Sequence, residues 1–170
     1  MTPNHALWAH IHTVPDFPKT GIEFYDLTPL FVDQIPALID ALKASMPQAA
    51  LDEVECFVAI EARGFILASL LAQCLGKGVL LVRKKGKLPP PTVCASYSKE
   101  YGDDQLEMSG LISNKKVILV DDVLATGGTL MAVKELAEKC GHQVLGASIL
   151  LDLPFLHGDL GFPIWTVLQK

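Results

Sequence analysis

The stretch "VILVDDVLATGGT", Val117 to Thr129, decides how this chain is read. A run of branched apolar residues leads into two adjacent aspartates, then into a loop of small residues with two glycines. The apolar run predicts a buried strand, and the loop predicts the turn from that strand into a helix. Backbone N–H groups of Ala125, Thr126, Gly127, Gly128 and Thr129 can cradle a phosphate there, with the helix dipole and the two threonine hydroxyls adding to the attraction. No Lys follows the glycines, so this is not a Walker loop, and the spacing is not G-x-G-x-x-G. Asp121 and Asp122 would repel a bare phosphate. They make sense if the ligand also presents hydroxyls, as a ribose 5-phosphate does, with its vicinal hydroxyls donating to the carboxylates. The plainer alternative is a strand-to-helix turn with a solvated aspartate pair.

Outward from this stretch, "CFVAI" (56–60), "GVLLV" (78–82), "KVILV" (116–120) and "QVLGASILL" (143–151) are nearly continuous apolar runs. Strands buried on both faces read this way and belong to a parallel sheet covered by helices. Helical periodicity fills Gln34–Met46, Gly64–Leu75 and Leu130–Cys140, the last stopping at Gly141, a predicted left-handed cap. Residues 83–115 break the rhythm. Within them "TVCASYS" (92–98) and "DQLEMS" (104–109) read as an antiparallel hairpin. The expected fold is α/β: a single-domain, open, mainly parallel twisted sheet flanked by helices, with an antiparallel hairpin within about residues 83–110. One domain over 1–170 is expected, as the length allows.

Fourteen basic and nineteen acidic residues give a net charge of −5, which argues against broad nucleic-acid binding. The apolar run "GFILASLLAQCLG" is shorter than the roughly 18 residues of a membrane span. The N-terminus lacks the pattern of a signal peptide, so a cytoplasmic, soluble protein is expected. Cys56, Cys74, Cys94 and Cys140 have neither metal-ligand nor redox spacing, and the five histidines show no ligand spacing.

Three further segments carry chemistry. "EARGF" (61–65) follows a strand and opens a helix, so its amides can face an anion and Arg63 can add bidentate charge; a surface salt bridge is the simpler role for Arg63. "VRKKGKLP" (82–89) gathers Arg83, Lys84, Lys85 and Lys87. Such a run is more often a solvated face. Glu100 and Tyr101 fall at the tip of the hairpin.

Together "PDFPKTGIEFYDLTPLF" (15–31), "EARGF", "VRKKGKLP", "ASYSKEYGDDQLEM" (95–108) and the 117–129 stretch resemble, in order, the landmarks of the type I phosphoribosyltransferases, and among them the adenine-using members. The resemblance implies transfer of a phosphoribosyl group from 5-phosphoribosyl-1-pyrophosphate (PRPP) to adenine, giving AMP and pyrophosphate in purine salvage. By the same resemblance, Ala125 to Thr129 hold the 5-phosphate and Asp121 and Asp122 the ribose. Arg63, Arg83 and Lys87 serve the pyrophosphate, beside a cis peptide at Glu61–Ala62. The backbone around Ile22, Glu23 and Phe24, in an N-terminal segment of about residues 1–31, reads the adenine edge while Phe24 stacks on its face. Glu100 becomes a candidate for managing the purine proton. Magnesium arrives with PRPP rather than in a protein cage, and a homodimer is implied.

Phe24 is equally a core residue by type, and Glu100 equally an exposed turn residue. The family usually places Arg or Lys where this chain has Tyr25, so a cation expected near the pyrophosphate is missing. A transferase for a 6-oxopurine and a PRPP-sensing regulator are the competing readings. The N-terminal landmark and the hairpin, which resembles the family's flexible hood, oppose the first, and the acidic chain without room for a DNA-binding domain opposes the second.

Overall fold

The structure, a computed structural model, describes residues 3–99 and 102–170, with the side chains of 3–5, 97–99 and 102–104 left aside. The chain divides into two compact units, Met1–Ala44 and Ser45–Lys170.

In the first unit, helix α1 (Pro3–Trp8) precedes strands β1 (His12–Pro15) and β2 (Glu23–Asp26), then helices α2 (Thr28–Asp33) and α3 (Ile35–Ser45). β1 and β2 pair antiparallel, with Val14 opposite Phe24. Asp16 takes a positive φ of 57° at the start of their connection, and its Oδ1 accepts from Gly21 N at 2.6 Å. A carboxylate that bonds its own loop makes this conformation accessible to Asp. Asp26 Oδ1 likewise accepts from Thr28 N, the first residue of α2, at 2.9 Å. The β1–β2 pair escapes a reading by apolar runs because both strands are only four residues long and β1 is largely exposed.

The second unit contains α4 (Gln48–Glu53), β3 (Cys56–Ile60), α5 (Gly64–Leu75), β4 (Gly78–Lys84), β5 (Thr92–Lys99), β6 (Gly102–Ser109), β7 (Lys116–Leu124), α6 (Gly128–Lys139), β8 (Gln143–Asp152) and β9 (Ile164–Gln169). Its sheet has the order β5-β6-β4-β3-β7-β8-β9, parallel from β4 through β9. β3 and α5 keep the predicted bounds. α5 ends at Gly76 in the left-handed region, and α6 closes with Gly141 N donating to Glu138 O and His142 N to Ala137 O, a Schellman pair around the predicted Gly141. Val58, Ile60, Leu119, Val133, Leu136 and Ile149 lie in one core between the sheet and α6.

Three expectations change. β7 runs on to Leu124, because β8 is long enough to pair with it through Asp152. Asp121 and Asp122 therefore sit on the strand, not in the loop. The hairpin β5–β6 is an extension of the main sheet, since β6 pairs antiparallel with β4 from Met108 to Leu106. β9, "IWTVLQ", adds a parallel edge strand that periodicity missed. Its Trp165 ring fills the space over Gly146, where a Cβ would come within 2.5 Å.

Candidate active site

The chain leaves β3 toward β4 on one side, and leaves β7 toward β8 on the other. Between β3 and β7 the strand order reverses, and the carboxyl ends there open the crevice in which α/β sheets bind ligands. Both segments at this crevice are loops singled out by the sequence: Glu61–Arg63 after β3 and Ala125–Gly127 after β7.

The second loop turns through Gly127, whose φ of +82° suits glycine, and Gly128 begins α6. Asp121, Leu124, Ala125, Thr126, Gly127 and Thr129 contribute to the lining of a cavity of about 100 Å³. At about 30 Å³ per water, that suits a few waters or one tetrahedral anion. Leu160, from the segment after β8, closes one side of the turn; a Cβ on Gly127 would meet its Cδ2 at 2.9 Å. Gly128 instead faces open space, with only Thr126 Oγ1 at 3.9 Å.

At the end of β7, Asp121 is half-buried and Asp122 buried. Asp122 N donates to Asp121 Oδ1 at 2.9 Å. Burial, and the adjacent Asp122 charge, hold the Asp121 carboxyl well above the usual carboxylate range. Asp122 faces a cation: Arg63 Nε lies 2.6 Å from its Oδ2. That oxygen takes no aligned hydrogen bond among the described residues, so the contact is a pairing of charges. The close approach of the two loops requires Gly64, where a Cβ would fall 2.6 Å from Val120 O.

The Glu61–Ala62 peptide is cis, as the resemblance implies. Glu61 itself has a role that sequence reading missed. Its carboxylate accepts from Arg83 Nη2 at 3.1 Å and from Lys84 N at 2.9 Å, contacts that lower its pKa, the Arg83 bond foremost. Arg83 is thereby committed to Glu61, while the Lys87 side chain is exposed. Glu107, also missed, is 3% exposed and accepts the backbone N–H groups of Lys87 and Leu88. Alternation in "QLEM" could have placed Glu107 on the face opposite Leu106 and Met108, but not beneath another segment.

In the first unit, Ile22 is exposed and Phe24 half-buried, its ring edge-on to Phe17 with centroids 5.1 Å apart. Glu23 accepts a hydrogen bond from the Tyr25 hydroxyl. Tyr25 is otherwise buried, edge-on to Trp8. The residue that replaces the family's cation is thus turned into its own unit's packing. Glu100 lies outside the described residues. For magnesium, Asp121 and Asp122 offer hard oxygen donors at the crevice, the type of which magnesium takes one or two alongside phosphate oxygens.

Residues 32–158 match the family model of the phosphoribosyl transferase domain. The adenine phosphoribosyltransferase of Synechococcus sp. (strain JA-3-3Ab) is 48% identical over 156 residues, covering 89% of this chain and 88% of that protein. Among solved structures, the adenine phosphoribosyltransferase of Rhodothermus marinus is 40% identical with a TM-score of 0.89, covering 99% of both chains. The Saccharomyces cerevisiae enzyme, in complex with adenine and an imino-altritol bisphosphate, is 35% identical with a TM-score of 0.91, covering 98% of both.

Proposed function

The chain belongs to the phosphoribosyltransferase family, and we propose that it is an adenine phosphoribosyltransferase, converting adenine and PRPP to AMP and pyrophosphate. The single observation that carries this reading is the meeting, at the β3–β7 reversal, of a phosphate-sized loop, a carboxylate pair and Arg63. A phosphoribosyl donor needs all three, in that order along its length.

Ala125 to Thr129 bind the 5-phosphate by backbone N–H groups and the two threonine hydroxyls. Asp121 and Asp122 accept the ribose hydroxyls. Arg63 and Lys87 receive the pyrophosphate, and Arg83 joins them only as far as Glu61 releases it. Adenine lies along Ile22, Glu23 and Phe24, with Phe24 on its face. Nitrogen 9 attacks the anomeric carbon as the bond to pyrophosphate breaks, through an oxocarbenium-like state. The protein's part is alignment, charge stabilisation of the leaving group and exclusion of water. Magnesium, held mainly by pyrophosphate and ribose oxygens, supplies added charge neutralisation there. Glu100 manages the purine proton. We take residues 1–170 as one functional domain that works in the cytoplasm as a homodimer. None of the described helices is long and apolar enough to cross a membrane.

A spectrophotometric assay with PRPP and each purine tests the reading. Adenine is expected to turn over and hypoxanthine and guanine to be strongly rejected, since a site bonded to the amino edge leaves its groups unpaired against a 6-oxo base. Comparable rates with hypoxanthine would move the protein to the 6-oxopurine class. No turnover together with a DNA gel shift would make it a sensor.

A further inference from the structure

β4 and β5 run parallel with β6 between them, so residues 85–91 must cross β6 to join them. Parallel strands are usually joined by a dozen or more residues, most often including a helix that satisfies its own backbone. This crossover is too short for that: Lys85 N donates to Gln105 O, and the amides that follow take a side-chain acceptor. Glu107 supplies it. It sits in a row with Arg83 of β4 and Cys94 of β5, on the face opposite the core residues Leu106 and Met108. A carboxylate on that face would ordinarily be solvated. Here the crossover covers it, and its Oε1 accepts from Lys87 N at 2.7 Å and Leu88 N at 2.6 Å.

Burial alone would raise the pKa of Glu107, but the Leu88, Gly86 and Lys87 amides and Thr92 outweigh burial and lower it. Arg83 forms a second tie, donating from Nη1 to Lys87 O at 3.4 Å and from Nη2 to Glu61. The basic crossover is therefore fastened to β6 beneath it and to the turn that carries Arg63.

We propose that Glu107 is a positioning residue for the leaving-group side of the reaction, fixing the Lys87–Leu88 backbone so that Lys87 stands beside the Glu61–Arg63 turn. The inference rests on the PRPP reading above. It predicts a selective effect, because the phosphate loop opens α6, which packs on the opposite, core-facing side of β5 and β6.

The test is calorimetric binding of pyrophosphate with magnesium, and separately of AMP, to the full chain and to Glu107→Leu and Glu107→Gln. Hydrogen exchange at the Lys87 and Leu88 amides is followed in parallel. Glu107→Leu is expected to weaken pyrophosphate about tenfold or more and speed exchange at both amides, with AMP affinity kept within about twofold. Glu107→Gln, which retains one acceptor oxygen, is expected to fall between and serves alone if the leucine variant does not fold. A Glu107→Gln, Lys87→Ala double variant should bind pyrophosphate no worse than Lys87→Ala alone. Equal losses for pyrophosphate and AMP would make Glu107 merely structural, and faster exchange with unchanged pyrophosphate affinity would overturn the proposal. Wild-type protein that binds neither ligand would overturn the transferase reading itself, and the inference with it.

Discussion

Arg63 and Asp122 form an ion pair across the point where the strand order reverses, with Nε 2.6 Å from Oδ2. The cation assigned to pyrophosphate and the buried carboxylate assigned to ribose thus neutralise each other. Under these assignments, a ligand offering both a polyanion and hydroxyl donors would replace both halves of the pair at once. A ligand offering only one leaves the other charge without its partner, which favours the complete donor over its fragments.

Arg63→Gln removes the partner of a buried carboxylate. The Michaelis constant for PRPP is expected to rise at least about tenfold, with AMP affinity affected less. Because the Arg63 side chain is 39% exposed, solvent screens the pair and the stability loss should be only about 1–2 kcal/mol. Steady-state kinetics and urea unfolding of the same preparation check both. An unchanged PRPP constant would remove Arg63 from the site.

The two glycines of the phosphate loop should behave differently. Gly127→Ala meets both a φ of +82° and Leu160, so about 1–3 kcal/mol of stability should be lost. Gly128→Val meets open space and should unfold near the wild-type temperature. It adds bulk at the first residue of α6, beside the amides assigned to the 5-phosphate, and the PRPP constant should rise about tenfold, or 1.4 kcal/mol. Wild-type PRPP kinetics in a folded Gly128→Val protein would refute the loop's assignment.

Asp121 carries a pH signature. Its carboxyl is raised in the folded chain by burial and by Asp122. The native state therefore holds the proton more tightly than the unfolded chain, and stability falls as pH rises from the ordinary carboxylate range through the raised value. Asp121→Asn should be more stable than wild type at about pH 7, with the advantage shrinking as pH drops toward about 4. PRPP binding should weaken, since an amide oxygen cannot match a carboxylate as acceptor. A stability difference independent of pH would contradict the raised carboxyl.

His157 should show its effect in a different window. Its Nε2 contacts Asp152 Oδ1 and its Nδ1 contacts Gly158 O, both at 2.8 Å, which favours the doubly protonated ring. The Asp152 bond foremost, then the Gly158 carbonyl, raise its pKa. The stability gained is full below the ordinary histidine value and lost as pH rises through the raised one. His157→Gln should abolish that alkaline slope in thermal melts, and a slope that persists would assign it to another group.

Glu100→Gln should lower turnover by about a hundredfold while leaving the PRPP constant nearly unchanged, the scale of lost general acid–base help. A rate within about threefold of wild type would remove Glu100 from the catalytic residues.

What could be read from the chain followed burial and backbone demand. Continuous apolar runs place β3, β4, β7 and β8, and paired glycines mark the turn from β7 into α6, because each is a local requirement. β1, β2 and β9 were lost for the opposite reason. The first two are only four residues each, and Ile164–Gln169 mixes polar residues into an edge position. Glu61, Glu107 and Leu160 escaped because their roles exist only between segments distant in sequence: a carboxylate on Arg83, a carboxylate under a crossover, and a side chain against Gly127. Tyr25 was legible as a departure, but its bond to Glu23 was not.

The parallel pairing of β3 with β7 also bears on how the chain reaches its native state. Cys56 stands opposite Val117, about sixty residues further along, and such distant pairings close late and slowly in folding. Both halves of the crevice hang on that one pairing, so a chain that has formed only its hairpin and helices has no phosphoribosyl site to fill. PRPP or AMP should then leave the refolding rate nearly untouched and act by retarding unfolding, so that ligand protects finished molecules and gives no help to nascent ones.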